Sequence, residues 1–207
     1  KMMDFPNTSL RKHLNISDNQ KIFLYQGVIQ HGRGLKIMID LLEHFPDCVC
    51  VFIGEGGFTQ EVLDYAKQKQ CEDKVFFIGA VPYSELLSYT TNGDIGFSLI
   101  EPISKSYIHA LPNKLFEYFL AGIPVIASNF PEMKNAIQNY FSDKVAFLID
   151  ANNDSYDFPA ANKIIEEIGK FYPESQFLQR QTTLVTTSKK KIISDLNAQY
   201  VSALKDP

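Results

Sequence analysis

The strongest constraint in this sequence is an alternation. From Lys21 onward, short runs rich in apolar, β-branched and aromatic residues take turns with segments whose apolar side chains recur at helical spacing. That order belongs to βαβ units and a parallel sheet. The runs predicted as strands are 22–25, 49–53, 75–78, 95–99, 125–127 and 146–149, each ending close to Gly, Asn or Asp. Between them, 35–45, 59–69, 84–91, 113–120 and 133–139 read as helices, the third with Ser84 as a capped start ahead of Leu86 and Leu87. The expected fold class is α/β: a doubly wound parallel sheet of about six strands, with C-terminal helices predicted over 156–171, 174–186 and 189–204.

A chain of 207 residues with 45% hydrophobic and 21% charged residues has the composition of a packed globular domain. Residues 21–207 are expected to form that domain. Residues 1–20, with Asp4, Pro6, Asn7 and Asn15 and no strand pattern, read as a linker from a missing N-terminal domain, with one short helical turn. A formal net charge of -4 gives nucleic acid no global attraction, so any phosphate recognition has to be local. No apolar run approaches the roughly 20 residues of a membrane span. The odd number of cysteines, Cys48, Cys50 and Cys71, fits small buried hydrophobes in a reducing cytoplasm. Lys189 to Lys191 read as a solvated helix start.

Doubly wound sheets bind ligands beyond the carboxyl ends of their strands, where the strand order reverses. With the common order 3-2-1-4-5-6, strands one and four meet there. The loop after strand one runs from Gly27 to Gly34 and sets Arg33 between two glycines ahead of a helix. Glycines admit close approach of backbone N–H groups to phosphate oxygens, and a guanidinium grips two oxygens at once. A flexible turn with a solvated arginine explains the same residues equally well, and His31 reads as a bystander. After strand four a long connection, 100–111, leads to a helix opened by Pro112. Such loops are functional more often than not. Asn113 and Lys114 fall in its first turn, where a lysine opposes the helix dipole unless an anion binds. Glu117, one turn on, shares their face and is suited to accept ribose hydroxyls. An exposed Lys114–Glu117 ion pair is the competing account of these residues.

Leu111-Pro112-Asn113-Lys114-Leu115-Phe116-Glu117-Tyr118 followed by Ala121-Gly122-Ile123-Pro124-Val125-Ile126-Ala127-Ser128 resembles the group 1 glycosyltransferases, the large retaining family-four group. The resemblance extends from Leu24-Tyr25-Gln26-Gly27 through Val75-Phe76-Phe77-Ile78-Gly79 to the region of Tyr200. It implies a GT-B architecture, two Rossmann-like domains facing across a cleft, of which this chain is the donor-binding half.

By that resemblance Glu117 matches the second glutamate of a pair separated by seven residues and would hold the donor ribose. Arg33-Gly34 matches a Lys-Gly pair that meets the donor pyrophosphate, with Gly27, Asn113 and Lys114 beside it. Ala80 and Val81 lie where relatives cradle the base, or serve simple loop packing. Glu101 and His109 are possible sugar contacts, Glu101 being equally suited to cap the long loop. The sequence departs from the family pattern at His109, which stands where the first glutamate belongs, and at Val28, where many members carry arginine. The implied function is transfer of a sugar from a nucleotide diphosphate to a glycan or lipid-linked acceptor. No metal or cofactor is expected, no catalytic residue is assigned, and the location is cytoplasmic, at the inner membrane face for a full-length protein. The alternatives are a noncatalytic nucleotide-binding module and, behind it, a sugar-nucleotide epimerase.

Overall fold

A computed structural model of the chain describes residues 10–140, 146–152, 155, 156, 163 and 165. Six parallel strands form one sheet: β1 (Lys21–Gln26), β2 (Cys48–Ile53), β3 (Val75–Gly79), β4 (Ile95–Ser98), β5 (Val125–Ser128) and β6 (Ala146–Ile149). Their spatial order is β3-β2-β1-β4-β5-β6, the expected doubly wound arrangement. The helices are α1 (Leu10–His13), α2 (Leu35–Leu41), α3 (Thr59–Gln68), α4 (Tyr83–Thr90), α5 (Lys105–Ile108), α6 (Asn113–Ala121) and α7 (Pro131–Tyr140).

The strand interiors are apolar because the sheet is covered on both faces, with polar residues confined to strand ends at Lys21, Gln26, Ser98 and Ser128. Along β1, Phe23 and Tyr25 enter one buried cluster with Leu35, Met38 and Val62, contributed by α2 and α3. Ile22 and Leu24 enter the other, with Tyr89, Leu115, Tyr118 and Met133, contributed by α4, α6 and α7. All three cysteines are free and buried, and burial pushes the Cys48 thiol up to about 12, so they behave as the apolar fillers the sequence suggests. No helix among the described residues is long and apolar enough to cross a membrane.

Several boundaries move. The second helix stops at Leu41 instead of residue 45; the following amides of Leu42 and Glu43 bond three residues back, to Ile39 and Asp40, as tightened final turns do. The fourth helix is capped by Pro82 and not by Ser84, which sits inside its first turn. Pro112 likewise precedes α6 in extended backbone instead of occupying its first helical position. The long connection carries the single turn α5. Beyond β6, a small antiparallel hairpin pairs β7 (Ala151–Asn152) with β8 (Ser155–Tyr156), so Tyr156 is strand and not the start of the predicted helix over 156–171. Most of that helix, those over 174–186 and 189–204 and the lysine run lie outside the described residues.

The described part of the opening segment is seated on the sheet. Leu10 and Ile16 are buried, and Arg11 Nη2 donates to Asp94 Oδ2 at 2.5 Å. The same carboxylate oxygen accepts the Ile22 N–H at 2.8 Å. One aspartate thus joins α1, the start of β1 and the approach to β4.

Candidate functional site

The strand order reverses between β1 and β4, and the loops beyond their carboxyl ends meet there. Gly27 N–H donates to Ile53 O and Gly54 N–H to Gly79 O, so the ends of β1, β2 and β3 are stitched side by side. In the loop that follows β1, Ile29 N–H donates to Glu55 O at 2.9 Å, and Tyr25 Oη donates to the Val28 carbonyl at 2.7 Å. These bonds fix the loop without using the Val28 side chain, which is exposed.

Arg33 lies over Tyr107, its guanidinium carbon 4.8 Å from the ring centroid. With the Gln30 amide oxygen turned toward it, Arg33 donates to that oxygen from Nη2 at 2.9 Å and Nε at 3.0 Å, and Tyr107 Oη donates to it at 3.1 Å. The arginine is therefore half-buried and held by α5 and its own loop. It is not the solvated arginine of the simpler account. Gly34, in left-handed backbone at φ 67, brings the loop so close to Leu99 that a Cβ would lie 2.4 Å from the Leu99 Cβ. Its N–H donates to Glu101 Oε1 at 3.1 Å, and Glu101 N–H donates back to Gly32 O at 3.0 Å. Those contacts make Glu101 a cap on this loop.

Lys114 is buried, at 8% exposure. Its ammonium nitrogen sits 3.5 Å from the centroid of the Tyr25 ring, and a Cβ on Gly27 would stand 3.5 Å from it. Burial, reinforced by the Arg33 charge and opposed by Glu117, holds its pKa well below the ordinary lysine value. Among the described residues Lys114 makes no ion pair, so the Lys114–Glu117 surface bridge is not formed. Glu117, half-buried, instead accepts from Gln26 Nε2 at 2.5 Å. Asn113 is exposed at the helix start.

Gly27, Arg33, Gly34, Lys114 and Glu117 are thus brought around the end of β1. Ala80 is exposed and Val81 half-buried after β3; His109 is exposed at the end of α5. Among the described residues, neither of these regions has a side-chain hydrogen bond to the cationic corner. Four residues that organise the corner escape sequence reasoning: Tyr25, Gln26, Thr90 and Tyr118. The fully buried Tyr118 hydroxyl accepts the Gln26 N–H at 3.0 Å and faces the carbonyls of Leu24 and Phe97 at 3.3 and 3.2 Å. The signal available for Gln26 is its position, a polar residue ending an otherwise apolar strand at the ligand-facing edge. Among the described residues, no group of three or more His, Cys, Asp or Glu is arranged to hold a metal ion.

Known proteins resemble this chain in sequence or in fold. The pneumococcal alpha-monoglucosyldiacylglycerol synthase of Streptococcus pneumoniae is 26% identical over 136 residues, 63% of this chain and 29% of the synthase. Anabaena HepE, crystallised in complex with UDP, superposes with a TM-score of 0.61 at 17% identity, over 93% of this chain and 52% of HepE. The C-terminal domain of a group 1 family protein, LpcC, from Francisella tularensis superposes with a TM-score of 0.57 at 19% identity, over 85% of this chain and 89% of that domain. These structures show the same fold, and the chain spans about half the length of HepE and under a third of the synthase. The family model of the glycosyl transferases group 1 matches residues 6–168, and with the match covering most of its length this chain belongs to that family.

Proposed function

We propose that this domain holds the nucleoside diphosphate of an activated sugar while the sugar passes to a glycan or lipid-linked acceptor. The observation that carries the reading is two cations held in one corner with neither of them in an ion pair. Arg33 and Lys114 lie close enough for the guanidinium to lower the lysine pKa, yet neither is in an ion pair among the described residues. Like charges in a partly desolvated corner raise the free energy of the empty site, and a diphosphate relieves that repulsion.

In the transfer, the bond from the anomeric carbon to the phosphate oxygen breaks, a bond to the acceptor oxygen forms, and the acceptor hydroxyl passes its proton to an oxygen of the departing diphosphate. Negative charge then gathers on the departing diphosphate. Arg33 and Lys114 meet that charge from fixed positions, which stabilises the transition state without reorganisation. The reading calls for no metal or cofactor. The UDP bound to HepE and the glycolipid named in the pneumococcal relative support it. The acceptor belongs to a further domain of a two-domain enzyme, working in the cytoplasm at the membrane face; the chain alone is expected to bind nucleotide without transferring sugar.

Titration calorimetry with UDP, GDP and ADP tests the reading. At least one should bind, and Arg33→Ala should weaken it by about 1.5–3 kcal/mol, the range of hydrogen bonds to charged groups, with little effect on the parent nucleoside. Binding of none of the three, or equal losses for nucleotide and nucleoside, overturns it.

A separate result is expected for Glu117. If its carboxylate accepts ribose hydroxyls, Glu117→Gln and removal of the 2′-hydroxyl from the ligand delete one contact between them. Their effects should then be non-additive in a double-mutant comparison. Simple additivity would place the ribose elsewhere.

A further inference from the structure

Glu117 is one end of a buried relay. Gln26 Nε2 donates to Glu117 Oε2 at 2.5 Å, and Gln26 Oε1 accepts from Thr90 Oγ1 at 2.7 Å. The Thr90 hydroxyl also faces Leu86 O at 2.7 Å, so its single hydrogen is shared between the two oxygens. Gln26 is 1% exposed and Thr90 fully buried. Gln26 is also held through its backbone, whose N–H reaches the Tyr118 hydroxyl at 3.0 Å.

The polarity of this relay is set at its Glu117 end. An ionised carboxylate only accepts hydrogen bonds, so the Gln26 nitrogen has to face Glu117 and its oxygen Thr90. The hydroxyl of Thr90 then supplies the donor that this oxygen needs in a site closed to water. We propose that Gln26, oriented by Thr90, is a positioning residue for Glu117: it holds the carboxylate in one rotation through Oε2 and leaves Oε1 to receive the ribose of the nucleotide. Oε1 has no partner among the described residues. The inference rests on the ribose assignment of Glu117 made above and extends it to two residues that touch no ligand.

A carboxylate already fixed does not have to be ordered when the ligand arrives, which strengthens the contact without adding one. Loss of the Thr90 hydroxyl leaves the buried Gln26 oxygen without its donor, so the amide that holds the carboxylate is no longer braced from behind.

The test measures binding of UDP, GDP and ADP and of their 2′-deoxy counterparts to the chain, using the pair that binds best. Gln26→Met removes the amide at similar length, Thr90→Val removes the hydroxyl at constant shape, and Thr90→Ser restores it. Gln26→Met and Thr90→Val should each reduce the preference for the ribonucleotide over its 2′-deoxy form by roughly three- to tenfold. Affinity for the deoxynucleotide should hold steady, and Thr90→Ser should keep the preference. A merely structural role would weaken both ligands alike. If Gln26→Met fails to fold, Thr90→Val alone decides. Should Glu117→Gln abolish the preference while both relay variants retain it, the positioning role is wrong and the ribose reading stands. If Glu117→Gln keeps the preference, or no nucleotide binds, the ribose reading fails and the positioning role falls with it.

Discussion

Replacing Gly54 by alanine is expected to destabilise the chain by about 3–5 kcal/mol, combining backbone strain with overpacking that has no flexible side chain to yield. Gly54 follows β2 at φ 139, and a Cβ there would lie 2.0 Å from the Gly27 carbonyl oxygen and 2.9 Å from its carbon. Both neighbours are backbone, and both are pinned, since Gly27 N–H bonds to Ile53 O and Gly54 N–H to Gly79 O. Relief requires the end of β1 to move away from β2, which also takes Gly27 off the Lys114 ammonium. Gly57 provides the control in the same loop, because a Cβ there meets nothing within 4 Å, and Gly57→Ala should stay within about 0.5 kcal/mol of the parent. Urea midpoints followed by circular dichroism check the pair; equal midpoints would mean that the loop has slack.

The second large effect has two signs. Lys114→Met should weaken diphosphate binding by roughly 10- to 150-fold, equivalent to about 1.5–3 kcal/mol, while making the ligand-free chain more stable at neutral pH. A methionine fills the same channel over the Tyr25 ring without a charge to desolvate. The pH dependence follows from the depressed lysine pKa. In the range between the folded value and the ordinary value near 10.5, the unfolded chain binds more protons than the folded one, so parent stability rises with pH there. At still higher pH both states are neutral at this position and the penalty is gone. The stabilising effect of Lys114→Met should therefore be full below the folded pKa and fade as pH climbs toward the unfolded one. Denaturation midpoints across the alkaline range, beside calorimetric titrations with UDP, GDP and ADP, separate the effects. A variant less stable than the parent at neutral pH would show that the Tyr25 ring more than offsets the cost of burial.

Both sites bear on what a sequence can reveal. The six strands were legible because a sheet covered on two faces demands unbroken apolar runs, and β2, Cys48–Ile53, is buried throughout. Lys114 and Glu117 were legible as a pair on one helical turn because local spacing fixes that geometry. Their environment was not: Lys114 takes its place over Tyr25, and Glu117 takes its bond from Gln26, which stands 91 residues earlier. A glutamine at a strand end looks the same whether it faces water or anchors a carboxylate, and only the β1–β4 reversal decides which. The turn α5 was missed for a simpler reason. Lys105-Ser106-Tyr107-Ile108 is too short and too polar to show a helical period, although Tyr107 supplies the surface on which Arg33 lies. The hairpin at Ala151–Asn152 and Ser155–Tyr156 has strands of two residues each, below the length at which alternation can be recognised.

The meeting of β1 and β4 also sets the order in which the chain can assemble. β1 pairs with β2 along six residues but with β4 along only two, Phe23 to Ile95 and Leu24 to Gly96. The first contact closes a short crossover. The second closes a loop like that between Ile22 and Asp94, 72 residues apart, at an entropic cost of about 4 kcal/mol. Non-local closure of that kind is what slows the formation of parallel sheets. The halves β1-β2-β3 and β4-β5-β6 are each built from neighbours in sequence, and the seam between them is reinforced from outside the ladder. Arg11 and Asp94 hold one end of it, and the Tyr118 hydroxyl, in reach of Leu24, Gln26 and Phe97, holds the other. The nucleotide corner sits on the late-closing join, so the site comes into existence only when the last large piece of the molecule docks.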